Sequence, residues 1–257
     1  MAELTEIVGY LNSSLRITEF ADSSLNGLQV EGAETIQKVA VSVDAGQAVV
    51  QAAAKAGAQA LIVHHGLFWS KPLAITGPHR ETVSTLLQSQ LNLLAYHLPL
   101  DAHAAWGNNF SLGRLLKLTN LQAAFPYRGS NIGCTGELAS DGANKQTVEQ
   151  LAEVLANLEG ALKPPLTLAF GPKFPERIGI VSGAGADALY ELPPLGIDTF
   201  ITGEPRQFAY HFARENKLNV IFAGHYATET LGVIELGKAL EKEFKTQWEF
   251  INLPTGI

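Results

Sequence analysis

Residues 38–66, KVAVSVDAGQAVVQAAAKAGAQALIVHHG, carry the pattern from which the rest of the chain is read. Lys38 to Val43 is a short, β-branched apolar run that reads as a strand, and Leu61 to Val63 reads as another. Between them Gln47 to Ala56 has the composition of a helix, closed by Gly57, a residue suited to the left-handed turn after a helix end. Strand, helix and strand in that order make a βαβ unit. Strands this continuously apolar belong in a parallel sheet covered on both faces.

Outward from this stretch the same rhythm continues. Upstream, Leu4, Ile7, Val8, Leu11 and Leu15 fall on one face of an amphipathic helix, and Asn26-Gly27 reads as a turn. Downstream, Arg80 to Gln90 reads as helix, Leu91 to Tyr96 as strand and Asn109 to Lys117 as helix, so the first half holds about three strands. From about 118 to 176 the signal weakens into glycine- and proline-rich patches around a helix at Gln146 to Leu158, and the region reads as a connector or a small added layer. The rhythm resumes with strand Arg177 to Val181, a helix near Ala186 to Glu191 and strand Thr199 to Ile201. Helix Gln207 to Glu215, strand Val220 to Ala223, helix Thr228 to Phe244 and a closing strand Trp248 to Ile251 complete it.

The second half echoes the first. Val41-Ser42-Val43-Asp44-Ala45-Gly46 resembles Ile180-Val181-Ser182-Gly183-Ala184-Gly185, and each is followed by a helix and a strand ending at Gly66 or Gly203. One helix and one strand later the first half reaches His97 with Asp101, and the second His225 with Glu229, a His-x-x-x-carboxylate in the matching place. The expected fold is α/β, with duplicated βαβ units forming two largely parallel, helix-covered halves. The first spans residues 1–120 and the second 121–257, and the closing elements are free to pack back on the first.

Composition narrows the function. At 257 residues and 46% hydrophobic the chain has ample material for a core, and its net charge of −7 with no basic run argues against nucleic-acid binding. No apolar run approaches the roughly 18 residues of a membrane span, and Glu3 and Glu6 stand where a secretory signal needs basic residues, so a cytoplasmic protein is expected. The single cysteine, Cys134, reads as a small buried apolar residue.

The chemistry concentrates at strand ends, where open parallel sheets place their ligands. His64-His65-Gly66, His97 with Asp101, and His225 with Glu229 each follow an apolar strand. Imidazole and carboxylate are preferred by Zn, Fe and Mn ions. Adjacent side chains on an extended segment point to opposite sides, so His64 and His65 suit two ions better than one. Glu229, at the opening of a helix just after His225, is the candidate bridging carboxylate of a two-metal site. Gly66 and Gly224 would let the backbone turn sharply beside the ions.

Several segments in order over nearly the whole chain now carry a family resemblance. They are Gly27-Leu28-Gln29-Val30-Glu31-Gly32, Leu61 to Gly66, Tyr96 to His103 with Gly107-Asn108-Asn109, Ile201 to Glu204, and Gly224 to Glu229. Together they resemble the YbgI-like, or Nif-three-like, family of dinuclear-metal proteins. The resemblance implies a metal site between the two halves and a toroidal homohexamer. It implies metal ligation by His64, His65, Asp101, His225 and Glu229, with two divalent transition-metal ions per chain, Zn, Fe or Mn. His97 is then either a further ligand or a residue that orients one, and His103 a residue behind the ligands. Many members are described as type 2 homologues of GTP cyclohydrolase I. Unlike longer relatives, this chain has no inserted central domain.

The activity expected from these residues is metal-dependent hydrolysis of a nucleotide or another phosphate-containing small molecule, with Glu204, His97 or His103 moving protons. Phe68, Trp69, Lys71 and Arg80 flank the His64-His65 loop and suit either stacking on a base and holding a phosphate or plain loop packing. Two rivals remain. One is a non-catalytic, chaperone-like scaffold in which the ions only hold the protein together. The other is a dinucleotide binder using the G-x-G-x-x-A run Gly183 to Ala188, with Glu204 as the ribose acid.

Overall fold

The computed structural model describes residues 1–138 and 145–257. The chain divides into two compact units: Met1–Leu100 with Gly232–Leu253, and Asp101–Leu231 with Pro254–Ile257.

The first unit begins with β1 (Ala2–Glu3) and α1 (Leu4–Ser14), whose Leu4, Ile7 and Leu11 are buried as the spacing requires. Glu3 and Glu6 close a capping box at its start. Then come β2 (Gly27–Val30), β3 (Thr35–Ile36), β4 (Lys38–Asp44), α2 (Gln47–Lys55), β5 (Ala60–His65), α3 (Gly77–Gln88) and β6 (Asn92–Ala95). β1 pairs antiparallel with β3, while β4, β5 and β6 form a parallel trio with Val41 opposite Ile62 and Val63 opposite Ala95. Val49, Val50 and Ala53 of α2 and Leu86 of α3 pack with Ala40, Leu61, Val63 and Leu93, and the alternate strand residues Val41, Ile62 and Leu94 are buried too. Burial on both faces is why these strands read as unbroken apolar runs. Each fully buried Val, Leu or Ile contributes roughly 1.5–3 kcal/mol.

The turn expected at Asn26-Gly27 is instead the entry to β2, which runs antiparallel to β6 as an extra strand of this sheet. Gly27 takes φ +100°, so its turn-like backbone is real, but it ends at once in Leu28. α3 starts at Gly77, three residues earlier than expected, because Pro78 sits in its first turn, where its missing N–H costs nothing.

The second unit follows α4 (Leu98–Ala102) with α5 (Asn108–Leu115), β7 (Thr119–Tyr127), β8 (Ser130–Glu137), α6 (Val148–Leu155), β9 (Leu166–Ala169) and β10 (Arg177–Val181). A 3-10 helix, Gly185–Glu191, leads to α7 (Leu192–Leu195), β11 (Thr199–Thr202), α8 (Gln207–Asn216), β12 (Asn219–Phe222) and α9 (His225–Thr228). β10, β11 and β12 form a parallel trio within a six-stranded sheet ordered β7-β8-β10-β11-β12-β9. Ile201 and Ile221 join Leu112 of α5 and Leu151 of α6 on one face. Phe200, Val220 and Phe222 join Ala209 and Ala213 of α8 on the other.

Residues 118–176 are therefore more than a connector, since they supply β7, β8, β9 and α6, all three strands antiparallel to their neighbours. β7 escaped sequence reading because it is exposed along most of its length and carries no alternation. β8 contains Gly133 and Gly136, which resemble turn residues but serve close packing. A Cβ on Gly133 would lie 2.7 Å from Val181, and one on Gly136 2.9 Å from Leu118. The helix expected near Ala186 is a 3-10 turn, and the one expected from Thr228 is broken. α9 ends at Thr228, and α10 (Thr230–Phe244) starts beyond Glu229.

α10 and β13 (Gln247–Phe250) then complete the first unit's sheet in the order β13-β4-β5-β6-β2, with β13 parallel to β4. Gly237 of α10 admits the Trp248 indole of β13, whose Cδ2 would stand 2.7 Å from any Cβ there. The two sheets share a plan, three parallel strands in sequential order followed by one antiparallel strand, β2 or β9. His97 follows β6 and His225 follows β12, the third strand of each trio. No helix among the described residues is long and apolar enough to cross a membrane.

Candidate metal centre

In the first unit three imidazoles gather at the ends of β5 and β6. His64 is fully buried, its Nδ1 2.9 Å from the Tyr96 carbonyl oxygen. β4 and β5 are in register with Asp44 opposite His65, which sets the Asp44 carboxylate 2.8 Å from His65 Nδ1. His97 Nδ1 lies 2.9 and 3.1 Å from the two oxygens of Asp22. The ring centroids are 4.7 Å apart for His64 and His65 and 5.1 Å for His64 and His97. One nitrogen from each of the three rings falls within 4.8 Å of the others. His64 and His65 thus do not diverge to opposite sides as an ideal strand would require. They are the last two residues of β5, where pairing is ending and alternation relaxes.

Asp22 has a side chain only 2% exposed and accepts hydrogen bonds from Ser24 N, Asn26 Nδ2 and Leu98 N as well as from His97. Burial alone would raise its pKa. The His97 hydrogen bond and charge, with those of Asn26 and Ser24, more than offset this and hold the carboxyl well below the usual range. Gly66 contributes by being small rather than by unusual backbone, for a Cβ there would stand 2.6 Å from that of Ala95. Gly224 does use the glycine-only region, at φ +93°.

The second unit carries its own donor set. Asp101, almost fully buried, accepts from Asn108 Nδ2 and Ser182 Oγ, both at 2.9 Å. Asn109 links Asp101, Ile132 and Ser182 through both ends of its amide. His225 stands between two carboxylates, its Nδ1 2.5 Å from Glu204 Oε1 and its Nε2 3.1 Å from Glu229 Oε2. One oxygen of Glu229 lies within 4.8 Å of a ligand atom of His225, and one lies as near to Asp101. Burial pulls the His225 pKa down, but its bonds and charges with Glu229 and Glu204 prevail and push it up to about 9. A proton on this ring thus does for two carboxylates what a bound cation would do.

Gly183 is the hinge of this arrangement. At φ +60° its N–H donates to Thr228 Oγ1 and its carbonyl accepts from Gly203 N and Glu204 N. A Cβ at Gly183 would fall on Glu229 Oε1 and 3.0 Å from His225 Nε2. The G-x-G-x-x-A run is therefore occupied by the acidic cluster. It opens a 3-10 helix and so offers no α-helix N-terminus to a pyrophosphate, which removes the physical basis of the dinucleotide reading.

The remaining sequence-named residues are placed as follows. His103 Nδ1 accepts from Trp106 N at 3.0 Å, and Arg114 ties the loop down through the Ala104 and Ala105 carbonyls. Phe68 packs against the first unit's core, Trp69 Nε1 donates to the Gly66 carbonyl and its ring meets that of His97 edge-on, and Lys71 and Arg80 are exposed. Cys134 is buried, its thiol pushed up to about 12 by burial against an opposing pull from Arg114.

Sequence reading passed over Asp22, Asp44, Ser182 and Asn108-Asn109 as parts of the site. With Glu204 they complete a consistent pattern: His64, His65, His97 and His225 each have Nδ1 held by an oxygen acceptor. An imidazole so anchored presents Nε2 to a metal, in the orientation that carboxylate–histidine–metal sites use. These buried His, Asp and Glu side chains can bind metal ions.

The chain has close relatives. The family model described as Duf34/NIF3 (NGG1p interacting factor 3) matches residues 2–255. A Deinococcus radiodurans protein named GTP cyclohydrolase 1 type 2 homolog is 45% identical over 254 residues, covering 98% of this chain and 94% of that protein. One of the same name from Archaeoglobus fulgidus is 38% identical, covering 99% of each. The crystal structure of a Thermus thermophilus protein is similar with a TM-score of 0.90 at 42% identity, and a solved structure of protein ybgI, described as of unknown function, with 0.89 at 35%. Both comparisons cover each chain completely.

Proposed function

Because the chain belongs to the Duf34/NIF3 family, we propose that it is a dinuclear metal-binding protein and a metal-dependent hydrolase of a nucleotide or other phosphate-containing small molecule. His64, His65, Asp101, His225 and Glu229 would hold its two divalent ions, Zn, Fe or Mn. The observation that carries the reading is the anchoring of Nδ1 on each of the three histidines in that set, two of them by carboxylates. Ordinary buried histidines have no reason to share that orientation, whereas metal ligands do.

When bound, such a pair of ions acidifies water toward neutral pH and offsets charge on the oxygens of the reacting group. The protein's own residues supply the rest. Asn108 and Ser182 hold Asp101 in one rotamer, and Asp44 and Glu204 hold His65 and His225. Glu204, His97 and His103 carry protons to and from the reacting group. The name borne by the Deinococcus and Archaeoglobus relatives points to a guanine nucleotide as the first substrate to try. A cytoplasmic homohexamer without nucleic-acid or membrane partners completes the proposal.

The test is elemental analysis of untagged protein beside His64→Ala and Glu229→Ala, followed by assay of the loaded protein on GTP and a panel of phosphodiesters. Two ions per chain, lost in both variants, with turnover abolished in Glu229→Gln, is the expected result. Metal that stays in the variants would refute the ligand set. Full metal with no turnover of any substrate would leave the protein a metal-holding scaffold.

A further inference from the structure

The second unit holds a cavity of about 350 Å³ that the donor set does not use. Every residue lining it belongs to that unit, and its volume falls within the roughly 300–1,000 Å³ of small-molecule sites. It lies at the carboxyl ends of β11 and β12, where open α/β sheets take their ligands. Gly203 and Pro205 line it from the first loop and Gly224 from the second, whereas Glu204 and His225, their neighbours in the chain, do not. The two loops thus present different residues to the donor set and to the cavity.

The lining is apolar from floor to mouth. Phe222, Ala223 and Ala227 are nearly fully buried, while Leu162, Leu166 and Ile257 are more than half exposed. Exposed leucine and isoleucine around a buried apolar floor leave surface in water that a ligand would cover. Gly160, Gly203, Gly224 and Gly256 leave bare backbone in the walls, which lets a flat ligand approach closely. The walls are tied in place, since Ala161 N donates to the Leu158 carbonyl and Tyr226 N to the Ile257 carbonyl, turning that oxygen toward α9. Lys163 is the one charged side chain in the lining. It is exposed and makes no hydrogen bond or ion pair among the described residues.

We infer that this cavity is a binding site for a small aromatic anion, its ring seated against Phe222 and Ala223 and its charged group held by Lys163. The ligand class is an aryl carboxylate, sulfonate or phosphate rather than a nucleobase, whose polar edge would find no side-chain partner among these residues. A second copy of the chain is the poorer occupant, because a specific contact between proteins buries about 800 Å² on each partner, far more than one cavity of this size offers. The site is separate from the metal ligands and does not depend on them.

Titration of the full chain with anilinonaphthalene sulfonate, an aromatic anion that fluoresces when its rings leave water, tests this beside the uncharged phenylnaphthylamine. One saturable site per chain is expected for both probes. Lys163→Glu should weaken the sulfonate about tenfold, the effect of reversing one charge beside the ligand, and leave the amine nearly unchanged. That difference should shrink as salt is raised. Leu162→Asp should weaken both probes. Tyr190→Asp, which alters an exposed ring stacked on Phe208 outside the cavity, should weaken neither. All three positions are exposed, so the variants are read in folded protein. No saturable binding, unchanged binding in Leu162→Asp, or loss of binding in Tyr190→Asp would overturn the site, and an equal effect of Lys163→Glu on both probes would overturn its preference for an anion. Binding that appears only after dilution has dissociated an assembly, followed by gel filtration, would show a second copy covering the cavity and would overturn the small-molecule assignment. None of these readouts uses metal or turnover, so failure of the hydrolase reading leaves them intact.

Discussion

The carboxylate of Glu229 occupies the volume that a Cβ on Gly183 would need, with the two residues 46 positions apart in the chain. The acid sits in the gap between α9 and α10 because Thr228, bonded to the Gly183 amide, ends one helix, and Thr230, bonded to the Ala227 carbonyl, follows it. A glycine in a left-handed turn and a break in a helix are thus one device for presenting a carboxylate.

Gly183→Ala should therefore cost more than a backbone effect. The left-handed φ alone costs roughly 1–2 kcal/mol for a residue with a Cβ. Gly196, at φ +64° with nothing within 4 Å of its would-be Cβ, supplies the control for that part. Thermal melts should show Gly183→Ala below Gly196→Ala, and metal titration should show weakened uptake in the first alone. Equal melts with equal uptake would mean that Glu229 moves aside freely.

Asp44→Ala removes the acceptor that holds His65 Nδ1 while leaving every proposed ligand in place. Metal affinity should fall about 10–100-fold, the usual effect of losing such a partner. Competition with a chromophoric chelator measures it, and an unchanged affinity would show that the strand alone orients His65.

For the metal-free protein the sign of the pH dependence follows from His225. Its folded pKa of about 9 lies above the ordinary 6.5, so the stabilisation from its two carboxylates is fully present below about pH 6.5 and fades as pH rises through 9. The melting temperature of metal-free protein should decline across that window, and Glu204→Gln should flatten the decline. Metal uptake below pH 9 should release protons, which calorimetry in buffers of different ionisation enthalpy would detect.

Cys134 should be silent toward thiol reagents in the folded protein at about pH 8, since burial raises its pKa to about 12 and the thiolate is the reactive form. One thiol per chain should appear on denaturation. Fast reaction of native protein would indicate local opening around β8.

Much of the fold was legible because burial on both sides leaves a signature in one dimension. β4, β5, β6, β10, β11 and β12 are near-continuous apolar runs, and a glycine soon after each of them except β6 marks its end. β2, β7 and β9 were not legible, since edge strands need no such run and are defined by the partner they pair with. The glycines of β8 misled for a related reason, as their smallness answers side chains from β10 and the segment before β7 that spacing along the chain does not reveal.

The sequence by itself determined which donors exist and that they cluster at strand ends, after the second and third strands of the first trio and the third of the second, because residue type and local period are properties of short segments. Only the tertiary structure decided which oxygen holds each imidazole. Asp22 reaches His97 across 75 residues, Asp44 reaches His65 through strand register, and Glu204 reaches His225 across 21 residues from the neighbouring strand. A hydrogen bond lasts only where packing keeps donor and acceptor within about 3 Å, and that proximity comes from the sheet rather than from any interval in the chain.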